Sequence, residues 1–421
     1  MIEEEMLGQI VEEIEDVVEE MEVEDDNGLK PMTDDDIKNI ASDAVTDAID
    51  FIESEIAEDR IKAQRYFDGE VDIGEEEGRS GIVATKVRDT VRNIKPSLMR
   101  VFLSNQNFVQ FVPRNPQEVQ QAETATQYVH SEFTEKNGYR LINDAFHDAL
   151  LKKAGVLKVY WDEYTDSETY TLTNLSEAEM MVVVNDPDVE VLEQGMEAAM
   201  SMDEFGMQVE TPVYSLRVAH YKKGGKLCVE SVPPEEFFVS RSARSIDDAY
   251  CVGHRTEMRV SDLVAMGYDF ETVSKLSGIT DYDSMAEAED FERRGYDQVK
   301  EEDILDPSMK QVSVTEAYMK MDVDGTGIAQ LHRILMGGGD YQLLDVTPVN
   351  EIPFAIFEVD PEPHAFFGRS VADLIIDDQD ASTAILRGVL DNIAMTNNPR
   401  TMMVEGQVNI DDLLNNEIGG V

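Results

Sequence analysis

Residues Pro353–Arg400 read PFAIFEVDPEPHAFFGRSVADLIIDDQDASTAILRGVLDNIAMTNNPR. The run Phe354–Val359 is apolar and reads as a strand. Pro361 and Pro363 stop it, because proline lacks a backbone donor and fixes φ. Gly368 follows, and Ser370 with Asp373 spells a capping box, S-x-x-D. From there Val371, Leu374, Ile375, Ala381, Ile385, Leu386, Val389 and Ile393 recur at mostly three- and four-residue steps, as one face of a helix does. Asp373, Asp377, Asp380 and Asp391 lie between them, so the pattern predicts an amphipathic helix whose other face is acidic. The helix should end at Asn397-Asn398-Pro399, because the residue before proline avoids αR.

The ordered combination P-x-P-H-x-x-x-G-x-S, then D-x-Q-D-x-x-T-x-x-L-R-x-x-L-D-N, then N-P-R resembles the portal proteins of tailed bacteriophages, the P22-like type in particular. It is carried by Pro361, Pro363, His364, Gly368, Ser370, Asp377, Gln379, Asp380, Thr383, Leu386, Arg387, Leu390, Asp391, Asn392, Asn398, Pro399 and Arg400. The resemblance spans roughly Phe51 to Val421 and is strongest after Pro353. It implies an α+β portal fold: an α/β wing, a long amphipathic stem helix and the start of a clip region. On that reading residues 1–55 form an acidic N-terminal arm, 56–363 the wing, 364–395 the stem helix and 396–421 the start of the clip.

Composition sets limits on this. The length allows roughly two or three domains. Lys plus Arg number 35 against 88 Asp plus Glu, a formal charge of −53. A duplex carries about one negative charge per 1.7 Å of axis, so a sequence-reading DNA binder is disfavoured. A conduit whose wall does not hold phosphate is compatible with the same charge. No apolar run approaches the ~18 residues that a membrane helix needs. The acidic N-terminus is neither a secretory signal nor a transit peptide. Cys228 and Cys251 have no metal or redox spacing and read as buried thiols of a reducing compartment.

Residues 1–55 carry two weak amphipathic patterns, Ile10, Ile14, Val17 and Val18, then Ile37, Ile40, Ala44 and Ile49. They read as an arm ordered against a neighbour. A helix continues to Phe67. One basic island follows, with Arg88, Arg92 and Lys95 on one helical face. It reads as a solvated face or a contact with the acidic surface of the next copy, ahead of a contact with nucleic acid. Phe108–Pro113 reads as a strand, 117–137 and 141–153 as helices, and Gly155 as a helix cap. Val156–Trp161, Thr169–Leu175 and Met207–His220 read as strands, and Val232–Val239 with Ala249–His254 resembles portal wing strands. Asp186–Met202, rich in Glu and Met, reads as a helical insertion. Ser261 reads as the N-cap of a short helix, and Asp281–Asp306 as a mobile acidic connection. Gln311–Asp322 and Ile328–Met336 read as a hairpin turning at Asp324-Gly325.

No motif supplies chemistry. Asp322-x-Asp324-Gly325 fails as a calcium loop, since the position six after Gly325 is Leu331 where the loop needs glutamate. Gly337-Gly338-Gly339 lacks the G-K-[ST] of a phosphate loop. The six histidines have no metal spacing, and His364 reads as packing at the start of the helix. There is no nucleophile elbow or reactive-cysteine context. The expectation is a non-enzyme without cofactor or metal.

The resemblance implies a homododecameric ring at one capsid vertex of the virion, assembled in the host cytoplasm. Double-stranded DNA passes through it, and terminase, tail adaptor, capsid and scaffolding proteins are its partners. Subunit-interface candidates are Val371, Leu374, Asp377, Ile385, Arg387, Val389 and Ile393. Asp373, Asp377 and Asp380 are expected to face a channel or to pair with Arg387 of the next copy, and Asn397 and Arg400 to face the channel or begin the clip. P22-like portals continue with a second stem helix, a channel loop and a crown, so the chain is expected to extend beyond Val421. The other readings are an acidic phage structural or adaptor protein without a DNA channel, and a hydrolase with an unrecognised carboxylate site.

Overall fold

A computed structural model of the chain describes residues 30–71, 74, 79–103, 109–186, 188–202, 208–278, 285–295 and 306–397. The first predicted arm helix, Phe108, and the clip stretch with Asn398, Pro399 and Arg400 lie outside them.

Helix α1 (Asp34–Glu55) opens with a capping box. The Asp36 amide donates to Thr33 Oγ1 and the Thr33 amide to the Asp36 carboxylate. Ile37, Ala41, Val45, Ala48 and Ile52 recur at three and four residues and are buried against Phe237, Val239, Cys251, Val252 and Met319. This corrects the expected arm for 34–55: the small, regularly spaced stripe lets the helix lie in the main core of its own chain. Helices α2 (Ala57–Asp68), α3 (Lys86–Leu103), α4 (Val119–Glu135) and α5 (Gly138–Leu151) follow. The expected strand at 108–113 is not found, since residues 109–113 join no sheet.

Strand β1 (Ala154–Leu175) leaves α5 directly. Gly155 is not the cap: Lys153 takes the left-handed conformation, at φ 74. Gly155 lies inside the strand, where an added Cβ would stand 1.9 Å from the Ala145 carbonyl oxygen, so the helix and strand approach backbone to backbone. Helix α6 (Glu177–Val184) follows, and strands β2 (Val189–Met202) and β3 (Gln208–Val232) pair with β1 in an antiparallel sheet of order β2-β3-β1. The expected helical insertion at 186–202 is therefore a strand, and the helix lies just before it. Glu and Met favour helix only weakly, and an extended ladder from Val189↔His220 to Met202↔Gln208 outweighs that preference.

The second sheet holds β4 (Phe237–Val239), β5 (Cys251–Arg259), β6 (Gln311–Met321), β7 (Gln330–Gly337) and β8 (Gln342–Pro348) in that order, all antiparallel. Between β5 and β6 come α7 (Val260–Ala265), α8 (Phe270–Val273) and α9 (Met285–Arg294). Arg259, not Ser261, is the N-cap of α7. Residues 285–294, expected within a mobile connection, form a helix whose Glu289 is buried. The turn after β6 is made by Asp322, whose carboxylate accepts from the amides of Thr326 and Gly327 at 2.9 and 2.6 Å.

Strand β9 (Phe354–Glu358) pairs with the start of β1, joining the first sheet to helix α10 (Val371–Asn397). A buried ionic group ties the sheets together. Glu316 on β6 accepts from Lys158 on β1, from Arg333 at 2.7 Å and from the Tyr318 hydroxyl at 2.6 Å. Burial alone would raise its carboxyl, but the Lys158 and Arg333 cations outweigh it and hold it at about 2. The α+β expectation stands. No described helix is long and apolar enough to cross a membrane.

Candidate assembly face on helix α10

The chain reaches α10 through a tight turn. His364 has φ 67 and is exposed, so it shapes the turn and does not pack as expected. Phe366 stacks on Phe237, ring centroids 6.2 Å apart. The capping box forms as read: the Asp373 amide donates to Ser370 Oγ at 3.0 Å and the Ser370 amide to the Asp373 carboxylate at 2.9 Å.

The helix packs inward through a face that is polar over much of its length. Val371, Ala372 and Ile376 join Ala63, Tyr66, Val87 and Val91 in one apolar cluster. Beyond Ile376 the inward positions are Gln379, Thr383, Arg387 and Asp391. Gln379 is fully buried, accepts from the Val87 amide at 2.9 Å and donates to the Tyr66 carbonyl at 3.0 Å. Thr383 accepts from the Ala84 amide and Asp391 from the Ser80 amide. Arg387 donates to the carbonyls of Ile82 and Gly81. The stretch 80–85 and the first turn of α3 are thus fastened along α10, running antiparallel to it. Asp380 accepts from the Tyr66 hydroxyl at 3.0 Å, and burial with this bond pushes the phenol up to about 12.

Much of the apolar stripe read from the sequence lies on the opposite side of the helix. Leu374 is 52% exposed, Ile385 68%, Val389 49% and Ile393 50%, with Met395 at 67%. Val371 alone among the predicted seam residues is buried. Leu374, Ile385, Val389 and Ile393 are left exposed by their own chain, while Gln379, Thr383, Arg387 and Asp391 of the motif face its body. A 3.6-residue period identifies a stripe but cannot say which molecule covers it.

Three of the residues expected at the channel or the next copy make contacts within the chain: Asp373 serves the cap and lies 3.8 Å from Lys153, Asp380 accepts from Tyr66, and Arg387 donates to two carbonyls. Asp377 is exposed, and Asn397 is exposed at the last described position of the helix.

The basic face divides. Arg88 donates to the Phe67 carbonyl at 2.7 Å and lies 3.7 Å from Asp68. Lys95 is half-buried, which lowers its pKa, against the opposing pull of Asp144 and Asp148. Arg92 stays exposed.

Sequence reading missed a buried ionic group where α2, α5 and α9 meet. Arg60 donates to the Pro234 carbonyl at 2.8 Å and lies 4.0 Å from Glu289, both side chains buried. Arg293 holds Glu235 at 2.8 Å and Asp148 at 3.7 Å. Burial pushes Asp148 up to about 6 and, helped by Glu235, Glu236 to about 7; it pulls His147 down to about 4. One signal was available: Arg60 interrupts the stripe of Ile56, Ala57, Ile61 and Ala63, all buried.

This 27-residue helix thus turns hydrogen-bonding polar groups to its own chain and leaves an apolar stripe exposed. No curated protein matches the chain. A family model for the phage SU10 portal protein matches residues 37–421, which begins earlier than the expected Phe51 and takes in most of α1. The match bears out the portal resemblance without naming the P22-like type. The chain belongs to the phage SU10 portal protein family.

Proposed function

We propose that copies of this chain associate side by side around a hollow axis, forming the ring through which double-stranded DNA enters and leaves a phage capsid. The observation that carries the reading is the bare stripe Ile385, Val389 and Ile393 on α10, backed by a polar face hydrogen-bonded inside the chain. Burying three such side chains stabilises a contact by several kcal/mol at about 25 cal/mol per Å². In the ring α10 acts as the stem helix at 364–395, the α/β body at 56–363 as the wing, and 396–421 as the start of the clip. The seam holds Leu374, Ile385, Val389 and Ile393, and Asp377 is the expected aspartate left to meet the channel or the neighbouring copy.

Twelve copies at one capsid vertex of the virion, docked by terminase during packaging and by a tail adaptor afterwards, follow from the P22-like resemblance. So do contacts with capsid and scaffolding proteins and assembly in the host cytoplasm. The charge of −53 supports a conduit more than a binder, because a wall that repels phosphate lets a duplex slide. The role is structural, with no catalytic step and no cofactor. Negative-stain imaging of the purified full-length protein tests it. Closed rings with a central hole are expected. Monomers or short rods at all concentrations would favour an acidic adaptor without a channel.

A further inference from the structure

We infer that the seam is head-to-tail and electrostatically matched: the outward face of α10 on one copy meets the outward basic face of α3 on the next. The inference rests on the ring reading above.

Both helices bury their inner faces in one cluster, Val87 and Val91 from α3, Val371, Ala372 and Ile376 from α10. Their opposite faces therefore point away from that shared core. On α10 the outward face begins with Asp377 and Asp378, both exposed, and continues into Ile385, Val389 and Ile393. On α3 it carries Lys86, Arg92 and Arg100 with Asp89 among them, all exposed, so basic groups outnumber acidic ones there. Arg92 and Arg100 lie eight residues apart, about 12 Å along one side of the helix.

Charge decides between possible occupants. Copies at −53 repel one another at long range. A self-facing contact of α10 with α10 would be two-fold and would close as a dimer. A ring instead needs two different patches that fit each other. Most cations of the helical body are already engaged. Arg60 and Arg65 pair with α9, Arg88 with the end of α2, and Arg293 with Glu235 and Asp148. Arg92 and Arg100 make no hydrogen bond or ion pair with any described residue. They are where one copy can accept the acidic, apolar-flanked face of another without like-charge cost.

Charge reversal in the full-length protein tests this by mass photometry, with circular dichroism to verify folding. Arg92→Glu with Arg100→Glu should raise the concentration needed for rings at least tenfold. Asp377→Arg with Asp378→Arg should do the same. Combining the four should restore assembly towards that of the unaltered protein. Rings indifferent to the arginine reversals would overturn the α3 seam while leaving the ring reading intact. So would loss of duplex DNA binding with ring assembly unchanged, which would assign the arginines to nucleic acid. Absence of rings from the unaltered protein overturns both.

Discussion

Gln379 is a fully buried amide that satisfies two backbone groups of other elements, the Val87 amide and the Tyr66 carbonyl. Replacing it with Met keeps most of the volume and strands both groups. A loss of about 2–4 kcal/mol is expected in denaturant unfolding, since each unsatisfied buried group costs about 1–3 kcal/mol. An unchanged midpoint would remove Gln379 from the fastening of α10. The buried ionic group sets a pH dependence whose sign follows from its carboxyls. Asp148 and Glu236 hold their protons up to about 6 and 7 in the fold, against about 4 in the unfolded chain. Their contribution is complete below about pH 4 and is lost as pH rises through 6 and 7. His147 and His254, held down to about 4, work oppositely. Their contribution is complete above about pH 6.5 and is lost as pH falls through 4. Stability should therefore rise as pH is lowered from about 8 to about 6.5, where the carboxyls act and the histidines do not yet oppose them. Glu236→Gln removes one titrating carboxyl and should flatten that slope. An identical slope in the variant would assign the trend to the overall negative charge instead.

At the scale of elements, α10 separates two kinds of apolar position. Ile376 lies in the intrachain cluster, and Ile376→Ala should cost about 2–4 kcal/mol in unfolding. Ile385→Ser, Val389→Ser and Ile393→Ser remove exposed side chains, so each should leave monomer stability within about 0.5 kcal/mol. Together they should abolish ring assembly. Unfolding curves and sedimentation on the same preparations read both quantities, and a triple variant that assembles normally would refute the seam. The helix itself was legible in the sequence, including its capping box, because spacing and caps are local. The contacts of its inward face were not, because Gln379, Thr383, Arg387 and Asp391 find backbone partners some 300 residues earlier in the chain. The β6–β7 hairpin was legible from its turn residues. The strand at 189–202 was not, because its helix-forming composition is overruled by a ladder with β3 that no local pattern announces. The α1 stripe was visible in part, but nothing in it says whether a neighbour or its own sheet covers it.

At the scale of the whole molecule, the account joins a bare helix face to a chain of charge −53. Such a chain cannot associate through indiscriminate contact, since long-range repulsion opposes every approach that does not match charge. The inner face of α10 is hydrogen-bonded to its own chain, and its outer face is the one assigned above to a sibling. Hydroxyl-radical footprinting of Leu386, Val389, Ile393 and Met395, compared between assembled and dissociated protein, tests that most directly. The account requires these four residues to react readily in the dissociated chain and to become protected on assembly. Equal reactivity in both states, with assembly confirmed in the same sample, would contradict it.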